Sequence, residues 1–479
     1  MALTNTNLPL LHRKEWQMMT PAPVTTAAAM FVVSPRSGNF NIAMYVASAT
    51  VQYLYHHDED GFVQIPSAAL AGTFGAGACG EYHPWSINYT ATGGSTTTVT
   101  VAAATHNITG VAIGSVIEFI SAGTASGHRS TVTSILNNAG TGTITLTFAD
   151  IAPTAILNTY TFRLTTGRFY LMSAGTTAAG SFKVFDVATI AWQASLSTTN
   201  LPGTWGTDGR LVCAYNYGEI FATGTATAGG ASTLTNGAKT WTTNQWTNYM
   251  IRISGGTGKG QTRVIASNTG TVLTVSSAWT TMPDATSTYE ITANEDWLYL
   301  IGNNAVTMYR YSISANTWTV MAPTTARSAA PSTGASFTAV GVTGDSVWAD
   351  ESAILDGKYI YSFRGGAVAT LDRFDISGGT AGAGAWAVVT YVGTETFTTG
   401  SSAFVMGRYI YLRKDATNRF FKYSVRGNYM EALNTNMFTD GAALLGNKIW
   451  VKNLNSAGTV KWLYSLQNTG TALHRMMLF

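Results

Sequence analysis

An aromatic motif returns five times along the chain: Gly167-Arg168-Phe169-Tyr170-Leu171, Asp296-Trp297-Leu298-Tyr299-Leu300, Gly357-Lys358-Tyr359-Ile360-Tyr361, Gly407-Arg408-Tyr409-Ile410-Tyr411 and Asn447-Lys448-Ile449-Trp450-Val451. A turn residue, in most copies a basic residue, and then alternating large apolar side chains suit a half-buried strand leaving a tight turn, because strand side chains alternate faces with period two. A degenerate sixth copy, Asn41-Ile42-Ala43-Met44-Tyr45-Val46, stands in phase with the others. Such repetition constrains the fold before any single residue is interpreted, since each unit buries its apolar face against its neighbours.

The companions of the motif define the unit. A Gly- or Ala-rich turn leads to a strand ending in an aromatic and a small polar residue, and another aromatic follows about seven positions on, Tyr429 beside Met430 in the last case. Tyr55 leads to Phe62, Phe185 to Trp192, Tyr311 to Trp318 and Tyr423 to Met430. Phe374-Asp375 reaches Trp386 across a glycine-rich lengthening from Gly378 to Gly384, as a surface turn tolerates. Runs of small residues at 27–33, 75–80, 211–215, 353–355, 403–406 and 442–445 suit inner strands crowded around an axis. Four strands per unit, six units and no helical periodicity predict an all-β chain folded as a six-bladed β-propeller. The motif with its later Phe-Asp pair and Trp, as in Phe185-Asp186 to Trp192, resembles the kelch repeat. Of the diglycines of that repeat only Gly365-Gly366 is clear, so the resemblance implies kelch-like geometry rather than common origin. Trp16-Gln17-Met18-Met19-Thr20-Pro21 reads as the last strand of a unit, which places the N-terminus beside the final unit around 473–479.

Two segments, 91–164 and 222–292, break the rhythm and match each other. Val116-Ile117-Glu118-Phe119-Ile120 aligns with Met250-Ile251-Arg252-Ile253, Gly123 through His128-Arg129 with Gly256 through Arg263, and Thr159-Tyr160-Thr161-Phe162 with Ser287-Thr288-Tyr289-Glu290-Ile291. Thr-rich strands with glycine turns make each a small all-β module. The chain therefore divides into 1–90, the first unit and the start of the second; 91–164, the first module; 165–221, the rest of the second unit and the start of the third; 222–292, the second module; and 293–479, the remaining units. Both modules fall between the first and second strands of adjacent units, so both are expected on one face of the propeller.

Charged residues make up 11% of the 479, against about 25% in an average globular domain, so the surface is Thr, Ser, Asn and Gly rather than salt bridges. That composition suits fibres, adhesins and virus particles. A net charge of +3 with no basic run gives no footprint for nucleic acid, and no apolar stretch is long enough to cross a bilayer. Residues 1–11 lack a signal-peptide core, so the chain is expected to fold in a cytoplasm. Cys79 and Cys213 read as buried small residues at equivalent inner-strand positions.

Chemistry is sparse. His56-His57-Asp58-Glu59-Asp60 reads as a solvated hairpin tip, since neighbouring strand residues point oppositely and chelate one ion poorly. Asp345, Asp350 and Glu351 form a second acidic loop, with calcium as its functional reading. Gly256-Thr257-Gly258-Lys259-Gly260 superficially resembles a phosphate loop but lacks the Gly-Lys-Ser/Thr ending and the following helix. No catalytic residue, metal or cofactor is assigned. The candidate interface residues are Trp241, Trp246, Arg252, Lys259, Arg263 and Trp279 of the second module, with His128 and Arg129 of the first. The tryptophans form either the module's own core or a binding anchor, Trp and Arg being enriched at hot spots.

The run from Trp246 through Gly256-Thr257-Gly258-Lys259-Gly260-Gln261-Thr262-Arg263 to Ala278-Trp279, Pro283-Asp284 and Tyr289 resembles a module of tailed-bacteriophage virion structural proteins. The first module matches it loosely and lacks the Trp and Pro-Asp elements. The resemblance implies a non-enzymatic, multi-copy virion component, assembled in the host cytoplasm and contacting other virion structural proteins. A receptor- or host-glycan-binding fibre protein is the alternative, and a polysaccharide hydrolase the third reading.

Overall fold

In a computed structural model the chain is all-β, with six four-stranded and two seven-stranded antiparallel sheets among the described residues. These are 17–23, 31–33, 42–46, 51–65, 79–103, 116–172, 181–203, 210–214, 218–301, 306–330, 336–340, 358–397, 402–406, 409–414, 419–433, 449–453, 461–466 and 472–478, apart from 58, 84–85, 127, 139, 166, 188–189, 194–195, 314 and 366. No helix of the described residues is long and apolar enough to cross a membrane.

The small sheets follow the chain. The first contains Phe31–Val33, Ile42–Val46, Gln52–His56 and Gly61–Gln64; the second Cys79–His83, Arg168–Met172, Phe182–Asp186 and Ala191–Trp192. The third contains Arg210–Cys213, Trp297–Ile301, Met308–Ser312 and Thr317–Val320; the fourth Ser336–Val340, Tyr359–Phe363, Leu371–Asp375 and Ala385–Val389; the fifth Ser402–Met406, Tyr409–Arg413, Phe420–Ser424 and Tyr429–Ala432. The sixth takes Ile449–Asn453, Lys461–Leu466 and Leu473–Leu478 from the C-terminal end and Gln17–Met18 from the N-terminal end. Gln17 pairs with Arg475 and Met18 with His474, as the reading of Trp16 to Pro21 anticipated.

The sequence signals have direct structural meanings. The paired apolar residues of each hairpin sit opposite one another: Tyr55 with Phe62, Phe185 with Trp192, Tyr311 with Trp318, Phe374 with Trp386 and Tyr423 with Met430. Their ring centroids are 4.8–5.2 Å apart in the four aromatic pairs, within the range where tilted and edge-on rings attract. The first aromatic of the second strand lies under a cation from the third strand: Arg310 over Trp297 at 4.0 Å, Arg373 over Tyr359 at 4.6 Å, Lys422 over Tyr409 at 4.7 Å and Arg475 over Trp462 at 4.4 Å. In the second sheet an ion pair, Arg168 to Asp186 at 2.9 Å, occupies that place.

This row corrects one copy of the motif. In the sixth sheet the strand beneath the cation is Lys461–Leu466, so Lys461-Trp462-Leu463-Tyr464 is the true counterpart. Ile449-Trp450-Val451 belongs to the edge strand of that sheet, and Asn447 and Lys448 lie outside the described residues. In the fourth sheet the first strand is Ser336–Val340, not the run at 353–355, which also lies outside the described residues along with Asp345, Asp350 and Glu351. Both cysteines are buried in first strands and neither is in a disulfide. Their positions are not equivalent: Cys79 faces Met172 at the end of its neighbour, Cys213 faces Leu298 near the start of its own.

The chain forms two compact units: 1–198 with 436–479, holding the sixth, first and second sheets and one seven-stranded sheet, and 199–435, holding the third, fourth and fifth sheets and the other. Within the second unit, first strands of successive sheets lie side by side. The chain leaving each fourth strand forms a parallel bridge to the next, Thr325 to Ala385 and Val392 to Tyr429. Tyr299 meets Phe374 at 6.3 Å and Tyr361 meets Tyr423 at 6.2 Å across those sheets. Within the first unit the sixth sheet meets the first in the same manner, Tyr464 against Tyr55 at 6.2 Å.

The seven-stranded sheets share one topology. In chain order the strands are Ser86–Thr90, Gly93–Gly94, Thr98–Ala102, Val116–Ser121, Arg129–Asn138, Thr143–Phe148 and Thr161–Thr165 in the first module. In the second they are Ile220–Thr225, Ala228–Gly230, Thr233–Thr235, Met250–Gly255, Thr262–Asn268, Val272–Val275 and Thr288–Thr292. Both are laid out first, seventh, fourth, fifth, sixth, third, second. Each is inserted between the first and second strands of a four-stranded sheet, the second and third respectively. The period-two pattern shows why they fold: Val99, Val101, Ile144, Leu146 and Phe148 point into a core while the intervening threonines face outward. Each such aliphatic burial contributes about 1.5–3 kcal/mol. The first module has a core of its own, whereas that of the second runs on into the third and fourth sheets.

Candidate functional site

The second module holds most of the candidate interface residues, and the structure separates them. Trp246 is buried at its base, edge-on to Tyr249 at 5.2 Å, and Tyr249 in turn meets Phe221 and Trp297 at 5.1 and 5.4 Å. Arg310 donates to the Tyr249 hydroxyl at 2.9 Å and lies over Trp297, so the cluster joins module to sheet. The turn at Thr380–Gly382 of the fourth sheet closes against it, and a Cβ at Gly382 would lie 2.9 Å from Phe221 and 3.3 Å from Trp246. Ser377 adds a hydrogen bond to Glu219 at 2.8 Å. Trp246 is thus a root residue rather than an interface anchor. The physical reason is that the module emerges from inside a sheet, so its apolar base must be covered where the chain crosses.

Trp279 is also buried. Its Nε1 donates to the Thr233 carbonyl at 3.2 Å, and the Arg263 guanidinium lies 5.7 Å from its ring. Arg263 is tied down by the carbonyls of Ala278 and Thr262 at 3.0 and 2.9 Å and by the Thr280 hydroxyl at 3.1 Å. Trp279 and Arg263 therefore clamp a loop, with Trp279 on the core side of its two readings and Arg263 partly exposed. Trp241 keeps part of its surface exposed, 6.5 Å from Trp246 and from Tyr289.

Lys259 is exposed at the tip of Gly256-Thr257-Gly258-Lys259-Gly260. Gly256 has φ +69° there, and a Cβ would meet the Thr286 carbonyl oxygen at 2.0 Å, so the turn requires glycine. Opposite lies Asp284, whose carboxylate accepts from the Thr286 hydroxyl at 2.6 Å and the Thr257 hydroxyl at 2.8 Å, bonds that hold its pKa below the ordinary value. The Pro-Asp element of the module thus braces the glycine turn. In the first module His128 is half-buried with its ring 6.2 Å from that of Phe119, and its Nε2 lies 3.3 Å from the Asp150 carbonyl. The side chain of Arg129 lies outside the described residues.

Arg252 forms an ion pair with Glu290 at 2.9 Å, and the first module carries the same pair reversed, Glu118 with Arg163 at 2.8 Å. Both pairs bridge the fourth and seventh strands in matching register. Two side chains have exchanged sign together, as a cross-strand pair requires when like charges are unfavourable. Arg252→Glu is expected to lower stability by up to about 1 kcal/mol, because Arg252 is exposed and solvent screens the pair, and the reversed pair Arg252→Glu with Glu290→Arg to restore it. Urea titration of the two variants and the parent checks this; equal losses in both variants would show that the pair is uncoupled.

Among the described residues no three of His, Cys, Asp and Glu come together to hold a metal ion. Several described carboxylates form framework ion pairs: Asp186, Glu290 and Glu118 as above, Asp372 with Arg327 and Arg364, and Glu395 with Lys414 and Arg419. The turn after the third strand of the first sheet is a hairpin tip but not solvated throughout: His57 is buried against Tyr55 and Tyr464, and Asp60 is a structural acceptor that composition alone did not disclose. It receives the Tyr55 hydroxyl at 2.7 Å and, from the N-terminal strand, Thr20.

No protein-family model matches the sequence, and no curated protein does. A solved structure of a luciferin-regenerating enzyme aligns over 96% of this chain and 95% of its own with TM-score 0.36 and 8% identity, too slight a likeness to carry an argument.

Proposed function

We propose that the chain is a non-enzymatic structural component of a tailed-bacteriophage particle: a six-bladed, kelch-like propeller whose two modules contact neighbouring virion proteins. The duplicated module carries this reading. One seven-stranded sheet is inserted twice, at the same point of two four-stranded sheets, between their first and second strands. A second copy of a surface adds valency toward a partner rather than stability to a framework. The propeller geometry draws support from the sixth sheet, which meets the first as the third meets the fourth and the fourth meets the fifth. The low charge and the resemblance of the second module to virion proteins agree with this role.

Mass spectrometry of purified particles tests it, with the chain expected among the structural proteins in many copies; absence from particles that carry the rest would overturn it. The rival reading, a fibre protein that binds a host glycan, draws on Trp241, which keeps part of its surface exposed while Trp246 and Trp279 are buried. Glycan-array binding lost in Trp241→Ala would favour that rival.

A further inference from the structure

The two modules hold the loop between their sixth and seventh strands in one hydrogen-bonded frame. Phe148 N–H donates to the Thr97 carbonyl as Val275 does to Ser232, Ala152 to Thr96 as Trp279 does to Ala231, and Ala91 to Tyr160 as Ala226 does to Ser287. The loops are equally long, so Ile151, Pro153, Ala155 and Leu157 of the first stand where the second carries Ala278, Thr280, Met282 and Asp284. Burial alternates along the first loop. Ala152 and Ile156 enter the module core, whereas Ile151, Pro153, Ala155 and Leu157 face solvent, Ile151 at 73% and Leu157 at 56% exposure. Alternation of this kind ordinarily turns polar side chains outward, and here all four are apolar.

The second loop ties the same positions to its own module. The Thr280 hydroxyl accepts from Arg263 at 3.1 Å, the Thr280 N–H donates to Gln261 at 2.7 Å, and Asp284 accepts from Thr257 at 2.8 Å; of the large apolar side chains of this loop only Met282 is exposed. We propose that the loop of the first module is an apolar anchor that seats in an uncharged groove on a different protein of the particle. No residue from 151 to 160 is charged, so the receiving surface is apolar; a charged patch would be buried without a partner. Four side chains are few against the roughly 20–30 residues a side of a stable interface, so two copies of the loop facing each other would bury too little to hold a pair of chains. Inserted into a groove, the same side chains are enclosed on all sides, as binding hot spots are. Pro153, in the middle of the loop, lowers the ordering cost of insertion. The anchor rests on the virion role proposed above.

Particles assembled with the double variant Ile151→Ala, Leu157→Asp test this. Both substitutions copy the second module at exposed positions, so the purified variant should melt with the parent. Its copy number per particle is expected to fall at least about tenfold, the effect of losing one hot-spot anchor or more. Parental occupancy of the variant would overturn the anchor and leave the virion role standing; a parent chain missing from particles would overturn both. Should the variant melt below the parent, a benzophenone photo-cross-linker in place of Ala155, in otherwise parental particles, decides the matter. A cross-link to a different structural protein supports the anchor. One to a second copy of this chain, one to the chain's own residues, or none at all would refute it.

Discussion

A chain lacking residues 1–22 is expected to unfold about 10 °C below the parent, the shift that roughly 3–5 kcal/mol produces in a unit of this size. The truncation removes the fourth strand of the sixth sheet. Lost with it are the Met19 bond to Leu473, the Gln17 contact with Arg475 and the three donations of Thr20 to Asp60. Met19 and Ala22, both buried, also go. Bonds to a charged acceptor are worth about 1.5–3 kcal/mol each when isolated, and their sum is reduced because they act as one unit. Differential scanning calorimetry checks the expectation. With two compact units the trace should contain a displaced and an undisplaced transition, and a trace identical to the parent's would remove the role of this strand in stability.

Asp372→Ala is expected to cost about 3–5 kcal/mol, because it strands a buried cation. Asp372 is 1% exposed and accepts from Arg327 Nε at 2.8 Å and from Arg364 at 2.8 and 2.6 Å. Arg327 has no route to solvent: its side chain is fully buried, it lies 5.1 Å from the Trp386 ring, and its remaining bond is to the Ser362 hydroxyl at 2.7 Å. Burial already pushes the Arg327 guanidinium below its usual pKa, with Asp372 as the chief opposing influence. Arg364 is 16% exposed and can turn outward, so Arg364→Ala should cost much less. Denaturant unfolding of both variants distinguishes them; equal costs would mean that Asp372 serves both arginines alike.

The hairpins were legible in the sequence because a directly opposed aromatic pair leaves a fixed spacing, as at Tyr311 and Trp318. The sixth sheet was misread because Lys448-Ile449-Trp450 and Lys461-Trp462-Leu463 satisfy the same alternation, and alternation does not encode which strand pairs with which. The cation of the third strand does discriminate: Arg475 stands to Trp462 as Arg373 stands to Tyr359. The duplication of the modules was legible in the order of its strands but not in their register: Arg129 stands to Glu118 as Thr262, not Arg263, stands to Arg252, and Phe162 stands to Phe119 as Tyr289 stands to Ile253. The fate of the tryptophans was not, because 241–249 run mainly through turns where period two gives no parity, and burial at the root depends on Phe221, Trp297 and Gly382 far along the chain. Asp60 was hidden by the general habit of hairpin tips to be solvated; the tyrosine five residues before it, repeated at Tyr311 and Tyr423, was the available sign.

The pairing of Gln17 with Arg475 spans 458 residues of chain. At about 5–20 residues per second of synthesis, Gln17–Met18 waits roughly 20–90 s for its partner to be translated. During that interval Gln17–Met18 lacks the strand it pairs with. The hydrogen bonds between Gln17–Met18 and Leu473–Leu478 therefore wait on the later strand, and a ribosome that stalls before residue 473 leaves Gln17–Met18 without its partner.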